Sequence, residues 1–239
     1  PYLIPGQEVL LDDGKIHLKI VEKAENMAEN GGENTQGKRY FAKVLWGGLL
    51  KSRKSAALPG AKIYPPTLTN SDLANIKIAK EMGVTGVMQP FVRDHSDLEC
   101  VKEALREAGA EDIRLFAKIE NMDGVRKLEK LLPAADEIVI ARGDLGNAVH
   151  LWDLPGVQRQ ISEKCRAAGK PFMVVTQMLA SMERSPVPTR AEVNDIFHAV
   201  MDGAASIMVT GETAVGDYPV EVIRYMVNTV RSAEKEENR

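Results

Sequence analysis

The residues best suited to chemistry in this chain stand at the ends of apolar runs. Arg93 follows VTGVMQPFV (84–92), and Lys118 and Glu120 close IRLFAKIE (113–120). Arg142 and Asp144 come at the end of DEIVIARG (136–143) and just beyond it, Thr176 and Gln177 close KPFMVVTQ (170–177), and Thr210 and Glu212 come at the end of ASIMVTG (205–211) and just beyond it. Glu120 and Asp144 are oxygen ligands of the kind a hard divalent cation takes. Mg²⁺ or Mn²⁺ typically keeps waters and uses one or two carboxylates plus substrate oxygens. Lys118 lies two residues before Glu120, so on a strand both side chains point to one side. A fixed ammonium beside a metal suits the stabilisation of a developing anion, such as an enolate or a transferring phosphoryl group. Gly143 and Gly146 would let backbone N–H groups approach an anion at the start of a short helix. Taken singly, each of these residues has a plainer explanation. IARGDLGNAVH (140–150) is rich in ordinary turn residues, and the two acids could form salt bridges with Lys118 and Arg142. Five successive runs ending in this way are harder to ascribe to turns.

The elements that must carry these residues are legible as alternating short apolar runs and helical patterns from about residue 58 onward. Strands are predicted at 84–92, 113–120, 136–143, 170–177 and 205–211. Helices are predicted between and after them: SDLECVKEALREAG with Ser96 and Asp97 as its cap, MDGVRKLEKLLP, PGVQRQISEKCRAAG, a segment from about Thr189 to Asp202, and PVEVIRYMVNTVRSAEKE. Strands alternating with helices at this spacing imply a parallel sheet, and unbroken apolar runs fit strands covered on both faces. In such folds, and in barrels especially, ligand chemistry gathers at the C-terminal strand ends, which is where the polar residues fall.

The first 57 residues read differently. EVLLDDGKIHLKIVE is predicted as two strands joined through Asp13-Gly14, a strong hairpin signal. ENMAENGGENTQGKR (25–39) is expected to be a mobile loop, and YFAKVLWGGLLKSRKSAALPG extended chain leading to the α/β part. The division predicted is a β-rich segment at 1–57 and an α/β portion at 58–239, with the boundary near Leu58-Pro59-Gly60.

The 239 residues are 44% hydrophobic and 27% charged, which supplies ample material for a core. A net charge of −3 with no accumulated basic block argues against a nucleic-acid binder. Cys100 and Cys165, on separate helical patterns, are expected to be reduced and semi-buried thiols. No signal peptide and no run of membrane-spanning length is present, so a cytoplasmic protein without a membrane partner is expected. The chain opens on Pro1-Tyr2-Leu3 rather than Met, and is expected to be part of something longer.

At these residues the sequence resembles the pyruvate kinase family. AKIENMDGV, IVIARGDLG and GKPFMVVTQMLASMERSPVPTRAEVNDIFHAVMDGAASIMVTGETAVGDYP look like that family's signature segments, in order and spacing. LLDDGKIHLKI, KSAALPG and PFVRDHSDLECV are similar to its lid-domain and early barrel segments, so the resemblance covers nearly the whole chain. The resemblance implies a parallel (β/α) barrel of pyruvate-kinase type, here its last five βα units, with a small β-rich lid segment. It implies a homo-oligomer and transfer of a phosphoryl group from phosphoenolpyruvate to ADP, giving pyruvate and ATP. By the same resemblance Lys118 is the cation stabilising the phosphoryl group and enolate, and Glu120 and Asp144 hold Mg²⁺ or Mn²⁺. The amides of Gly143 and Asp144, with the Thr176 hydroxyl, bind the substrate carboxylate. Thr210 and Glu212, where the family usually reads Ser-Gly-Glu, belong to the proton relay serving the enolate carbon. Lys54 aligns with a lysine expected near the nucleotide.

The departures bear on these expectations. The family barrel has eight strands with the lid inserted after the third, and five strands cannot close a barrel; open edges would invite pairing or aggregation. Either the missing strands lie outside this sequence, or another chain supplies them, or this is an unusual homologue. The arginine of an Asn-Arg-x-Asn-Phe-Ser-His-Gly-like motif, most monovalent-cation ligands and the allosteric C-terminal domain are not in this sequence. Ala57 stands where the family has Asn, and GNAVH where it reads Gly-Val-Glu-Ile-Pro. Pro90 replaces a Ser near the monovalent-cation region, which weighs against K⁺ dependence. Two other readings stand beside the kinase. One is a metal-dependent lyase or aldolase acting on a 2-oxo acid through a pyruvate enolate, which the degenerated lid favours. The other is a non-catalytic module that keeps the pocket.

Overall fold

The computed structural model describes residues 2–24, 38–61 and 63–237. Most of the predicted loop at 25–39, namely residues 25–37, lies outside them. The chain divides into two compact units, Pro1–Pro65 and Pro66–Arg239.

In the first unit β1 (Glu8–Leu11), β2 (Ile16–Lys23), β3 (Tyr40–Trp46) and β4 (Ala56–Ala57) form a sheet of order β3-β2-β1-β4. All its pairings are antiparallel. Leu11 faces Ile16, so the hairpin loop is Asp12–Lys15 rather than the tight two-residue turn that Asp13-Gly14 suggests. Asp12, Asp13 and Gly14 all take positive φ, at 50°, 56° and 83°. Asp and Gly are the residues that tolerate this conformation best. Val9, Ile16 and Ile20 form the buried apolar side of this small sheet.

The second unit begins with α1 (Asn70–Ala79) and then runs β5 (Gly86–Gln89), α2 (His95–Glu107), β6 (Arg114–Ile119), α3 (Met122–Arg126), α4 (Leu128–Leu131) and β7 (Glu137–Ala141). It continues with α5 (Arg142–Ala148), α6 (Leu154–Ala167), β8 (Phe172–Val175), a 3₁₀ turn at Ala180–Glu183, α7 (Arg190–Met201), β9 (Ser206–Met208), α8 (Gly211–Ala214) and α9 (Pro219–Glu237). The five strands pair in sequence order, β5-β6-β7-β8-β9, and every pairing is parallel. This is the sheet expected from the alternation of apolar runs and helical patterns.

β7 is the central strand, and all five of its residues are buried. Alternate residues serve two sides, as a strand's period of two requires. Ile138 and Ile140 belong to the main core, with Leu128, Leu131, Ile161 and Phe172. Val139 and Ala141 pack with Val175, Met88, Phe116, Met173 and Met208 on the other.

Two local expectations are corrected. Helix α2 is capped by Asp94, not by Ser96 or Asp97. The Asp94 carboxylate accepts from the Ser96 amide at 3.0 Å, and Asp97 sits at N3 of a reciprocal capping box. The segment MDGVRKLEKLLP is two short helices, because Lys127 leaves helical geometry (φ −99°, ψ 10°). Asn121 caps α3 by accepting from the Gly124 amide at 2.9 Å, and its side-chain amide donates to the Val92 carbonyl.

Candidate active site

The parallel register brings the predicted site residues to one end of the sheet. Ile119 pairs with Ile140, Ala141 with Val175, and Val175 with Met208. Each partner is the last or next-to-last residue of its strand. Glu120, Arg142, Thr176 and the Thr210 turn therefore leave neighbouring strands at their carboxyl ends.

On the first of these strands Lys118 Nζ lies 2.6 Å from Glu120 Oε1. The Glu120 side chain is 1% exposed and that of Lys118 24%. The second Glu120 oxygen accepts from the Phe91 amide at 2.7 Å, and Phe91 takes a left-handed φ of 52° to deliver it. The spacing that put both side chains on one side has produced a buried, fully partnered carboxylate beside a lysine that reaches solvent. Buried charges persist only with such partners.

The stretch from Ile140 to Ala148 is not a loose turn. Helix α5 starts at Arg142, directly after Ala141 ends β7, and Asp144 lies in its first turn, half-buried. A methyl added at Gly143 would meet Thr176 Oγ1 at 3.6 Å, an ordinary contact, so glycine is not demanded here by crowding. Its amide donates to Thr176 Oγ1 at 2.9 Å, and that hydroxyl donates to the Val175 carbonyl at 2.6 Å. The two groups expected to share a substrate carboxylate thus already touch.

Arg142 pairs with an acid on another helix. Its Nη1 donates to both oxygens of Asp195 on α7, at 2.8 and 2.6 Å. Its Nη2 donates to the Thr176 carbonyl at 2.7 Å and to Met178 Sδ at 2.8 Å. Thr176 and Gln177 are both left-handed, with φ of 74° and 53°. For a β-branched residue this conformation is a genuine outlier, costing on the order of 1–3 kcal/mol, and it persists only where the surroundings over-determine it. Glu212 supplies another part of that determination. Its buried carboxylate accepts from the Leu179 amide at 3.2 Å and from the Thr210 amide at 2.7 Å, tying the turn after β8 to the turn after β9. Thr210 itself is exposed.

Arg93, the remaining strand-end residue, serves a structural pair. Its guanidinium donates to Asp97 at 2.6 and 3.1 Å. Burial pushes the Asp97 carboxyl up, but the hydrogen bonds from Arg93 and Thr67 outweigh it and hold the group at about 2. In the first unit Lys54 lies 2.9 Å from Asp12, whose carboxyl is held below its ordinary value chiefly by that contact. Cys100 is an exposed thiol and Cys165 a buried one, and burial pushes Cys165 up to about 12.

Asp195 and Asp12 are site-associated residues that the sequence did not single out. Asp195 lies 53 positions from Arg142 within an amphipathic helix, where one more polar residue carries no signal. Among the described residues no group of three or more His, Cys, Asp or Glu could hold a metal ion. A two-carboxylate site completed by water and substrate oxygens remains the kind that Mg²⁺ tolerates. No described helix is long and apolar enough to cross a membrane.

A parallel strand–helix array with polar residues collected at its carboxyl strand ends is an arrangement shared by open α/β sheets and (β/α) barrels. The chain belongs to the pyruvate kinase family: the family model "Pyruvate kinase, barrel domain" matches residues 2–223. It is 38% identical over 230 residues to a pyruvate kinase of Bacillus licheniformis, covering 96% of this chain and 38% of that protein. It is 39% identical over 221 residues to one of Geobacillus stearothermophilus, covering 92% and 36%. With one of Clostridium acetobutylicum it shares 36% identity over 234 residues, covering 98% and 47%. The chain spans less than half the length of these curated relatives.

Proposed function

We propose that this chain carries the phosphoryl-transfer site of a pyruvate kinase, which interconverts phosphoenolpyruvate and ADP with pyruvate and ATP. The observation that supports it most is the run of contacts across neighbouring strand ends. Lys118 is held against a buried Glu120, and the Gly143 amide is held against the Thr176 hydroxyl on the next two strands.

In this reading the Gly143 and Asp144 amides and the Thr176 hydroxyl bind the substrate carboxylate. The Gly143 amide now donates to Thr176 Oγ1 and that hydroxyl to the Val175 carbonyl, so the groups are adjacent and both donors turn to the carboxylate on binding. Lys118 stands where charge develops on the phosphoryl and enolate oxygens. Its partner Glu120 keeps the ammonium in place. Glu120 and Asp144 would hold Mg²⁺ or Mn²⁺, which supplies further neutralisation of phosphate and enolate charge. The donor set fits, since both are carboxylates leaving adjacent strands and Glu120 is held by an amide at its second oxygen. Thr210 offers a hydroxyl to the proton relay at the enolate carbon, and Glu212 fixes that turn through the Thr210 amide. Lys54, oriented by Asp12, approaches the nucleotide phosphates. Pro90, which offers no hydroxyl, weighs against K⁺ dependence without removing it. The same reading gives a cytoplasmic homo-oligomer with small-molecule partners and neither nucleic acid nor membrane.

The test is ADP-dependent formation of pyruvate from phosphoenolpyruvate by the natural protein with Mg²⁺. No ADP-dependent pyruvate formation alongside normal oxalate binding would move the assignment to lyase chemistry or to a non-catalytic module.

A further inference from the structure

We infer that Asp195, on a helix that supplies none of the expected site residues, is the positioning residue for the carboxylate-binding turn. The inference rests on the reading of Gly143 and Thr176 as the substrate-carboxylate site. It names a residue that this reading does not contain.

The argument runs through one guanidinium. The Arg142 side chain is 11% exposed and leaves the first residue of α5, so its position fixes the start of that helix. Its Nη1 is taken entirely by the two oxygens of Asp195. A planar guanidinium held at one nitrogen by a carboxylate has its other nitrogen fixed in direction. That other nitrogen, Nη2, lies 2.7 Å from the carbonyl of Thr176. The contact restrains Thr176 in its left-handed conformation, from which Oγ1 accepts from the Gly143 amide. Asp195 therefore acts on the site at one remove, by aiming Arg142 at the backbone of the turn.

The alternative is that Asp195 merely neutralises a buried arginine. Removing it would then destabilise the whole unit without a local signature. The local role is favoured because the arginine spends its second nitrogen on the carbonyl of Thr176, a residue held at a left-handed φ, rather than on solvent.

Amide hydrogen exchange on the natural protein and on Asp195→Asn tests this without any ligand. Exchange at the Gly143 amide should accelerate about tenfold in the variant while α9 keeps its protection. Arg142→Lys keeps Asp195 but cannot reach both the carboxylate and the Thr176 carbonyl, and should show the same local loss. Unchanged protection at Gly143 in both variants would overturn the inference. So would a uniform loss of protection along the chain in both, since that is the signature of a structural ion pair. A calorimetric arm, oxalate binding in the presence of Mn²⁺, separates this inference from the function it rests on. Affinity in Asp195→Asn should fall about tenfold with Mn²⁺ binding retained. If exchange changes locally as expected but the natural protein binds no oxalate, the positioning role stands and the carboxylate-site reading falls.

Discussion

A carboxylate with every oxygen partnered and a lysine beside it can serve as an internal salt bridge or as half of a metal site, and the two differ in what a third group does. Glu120 is held by Lys118 and by the Phe91 amide, whereas Asp144 sits half-buried in the first turn of α5. If Mg²⁺ or Mn²⁺ bridges them, Asp144→Asn should weaken Mn²⁺ binding by at least about tenfold, since one of only two protein carboxylates is lost. Unchanged Mn²⁺ affinity by calorimetry would remove Asp144 from the site. Lys118 makes a different prediction. If it acts on charge that develops during transfer, Lys118→Met should abolish turnover while leaving oxalate affinity largely intact. A variant that lost only affinity, with kcat preserved, would make Lys118 a ground-state anchor. These residues were legible in the sequence because each interrupts an apolar run. Asp195 was not, because the contact that matters joins a helix face to a strand end and leaves no local pattern.

At the scale of elements the apolar runs located all five strands, though each strand is shorter than its run, as β5 (Gly86–Gln89) is within 84–92. The caps were read less well. Asp94 precedes two equally plausible cap residues, and only the hydrogen bonds decide which of the three the chain uses. The break at Lys127 was hidden because the apolar spacing of Val125, Leu128 and Leu131 continues across it. The junction between β5, β6 and α3 makes two predictions. A methyl at Gly124 would lie 2.7 Å from the Val92 carbonyl oxygen, an approach that requires the backbone to shift. Gly124→Ala should therefore lower stability by about 1–3 kcal/mol in denaturant unfolding, despite the better helix propensity of alanine. Asp97, held at about 2, contributes stability that is fully present above its unfolded value near 3.8. That contribution is lost as pH falls through 2, because the folded state then has to take up a proton it resists. The Asp97→Asn variant should be less stable at neutral pH and should show a shallower loss of stability between about pH 4 and 2. Parallel acid slopes in the two proteins would show that the Arg93 pair is not what acid breaks.

At the scale of the whole molecule the chain is two compact units, and the functional reading needs both of them. The α/β unit carries every group that would meet a pyruvate-like carboxylate, so oxalate or pyruvate binding cannot separate a kinase from a lyase. The first unit carries the discriminating residue. Lys54 is oriented by the Asp12 carboxylate at 2.9 Å, within a hairpin loop whose Asp12 and Asp13 amides are also fixed by Ser55, at 3.0 and 2.9 Å. A lysine in a basic loop, as Lys51-Ser52-Arg53-Lys54 reads in sequence, is ordinarily left to solvent, and nothing in its pattern foretold the aspartate 42 positions earlier. The expected outcome is that Lys54→Ala weakens ADP–Mg²⁺ binding by about tenfold, the loss of one charge-assisted phosphate contact, and leaves oxalate binding unchanged. Equilibrium binding on the natural protein measures both. Equal ADP affinity in the variant would remove Lys54 from the nucleotide site. If the natural protein binds oxalate normally but shows no ADP affinity at millimolar concentration, phosphoryl transfer to a nucleotide is excluded and the enolate chemistry belongs to a lyase.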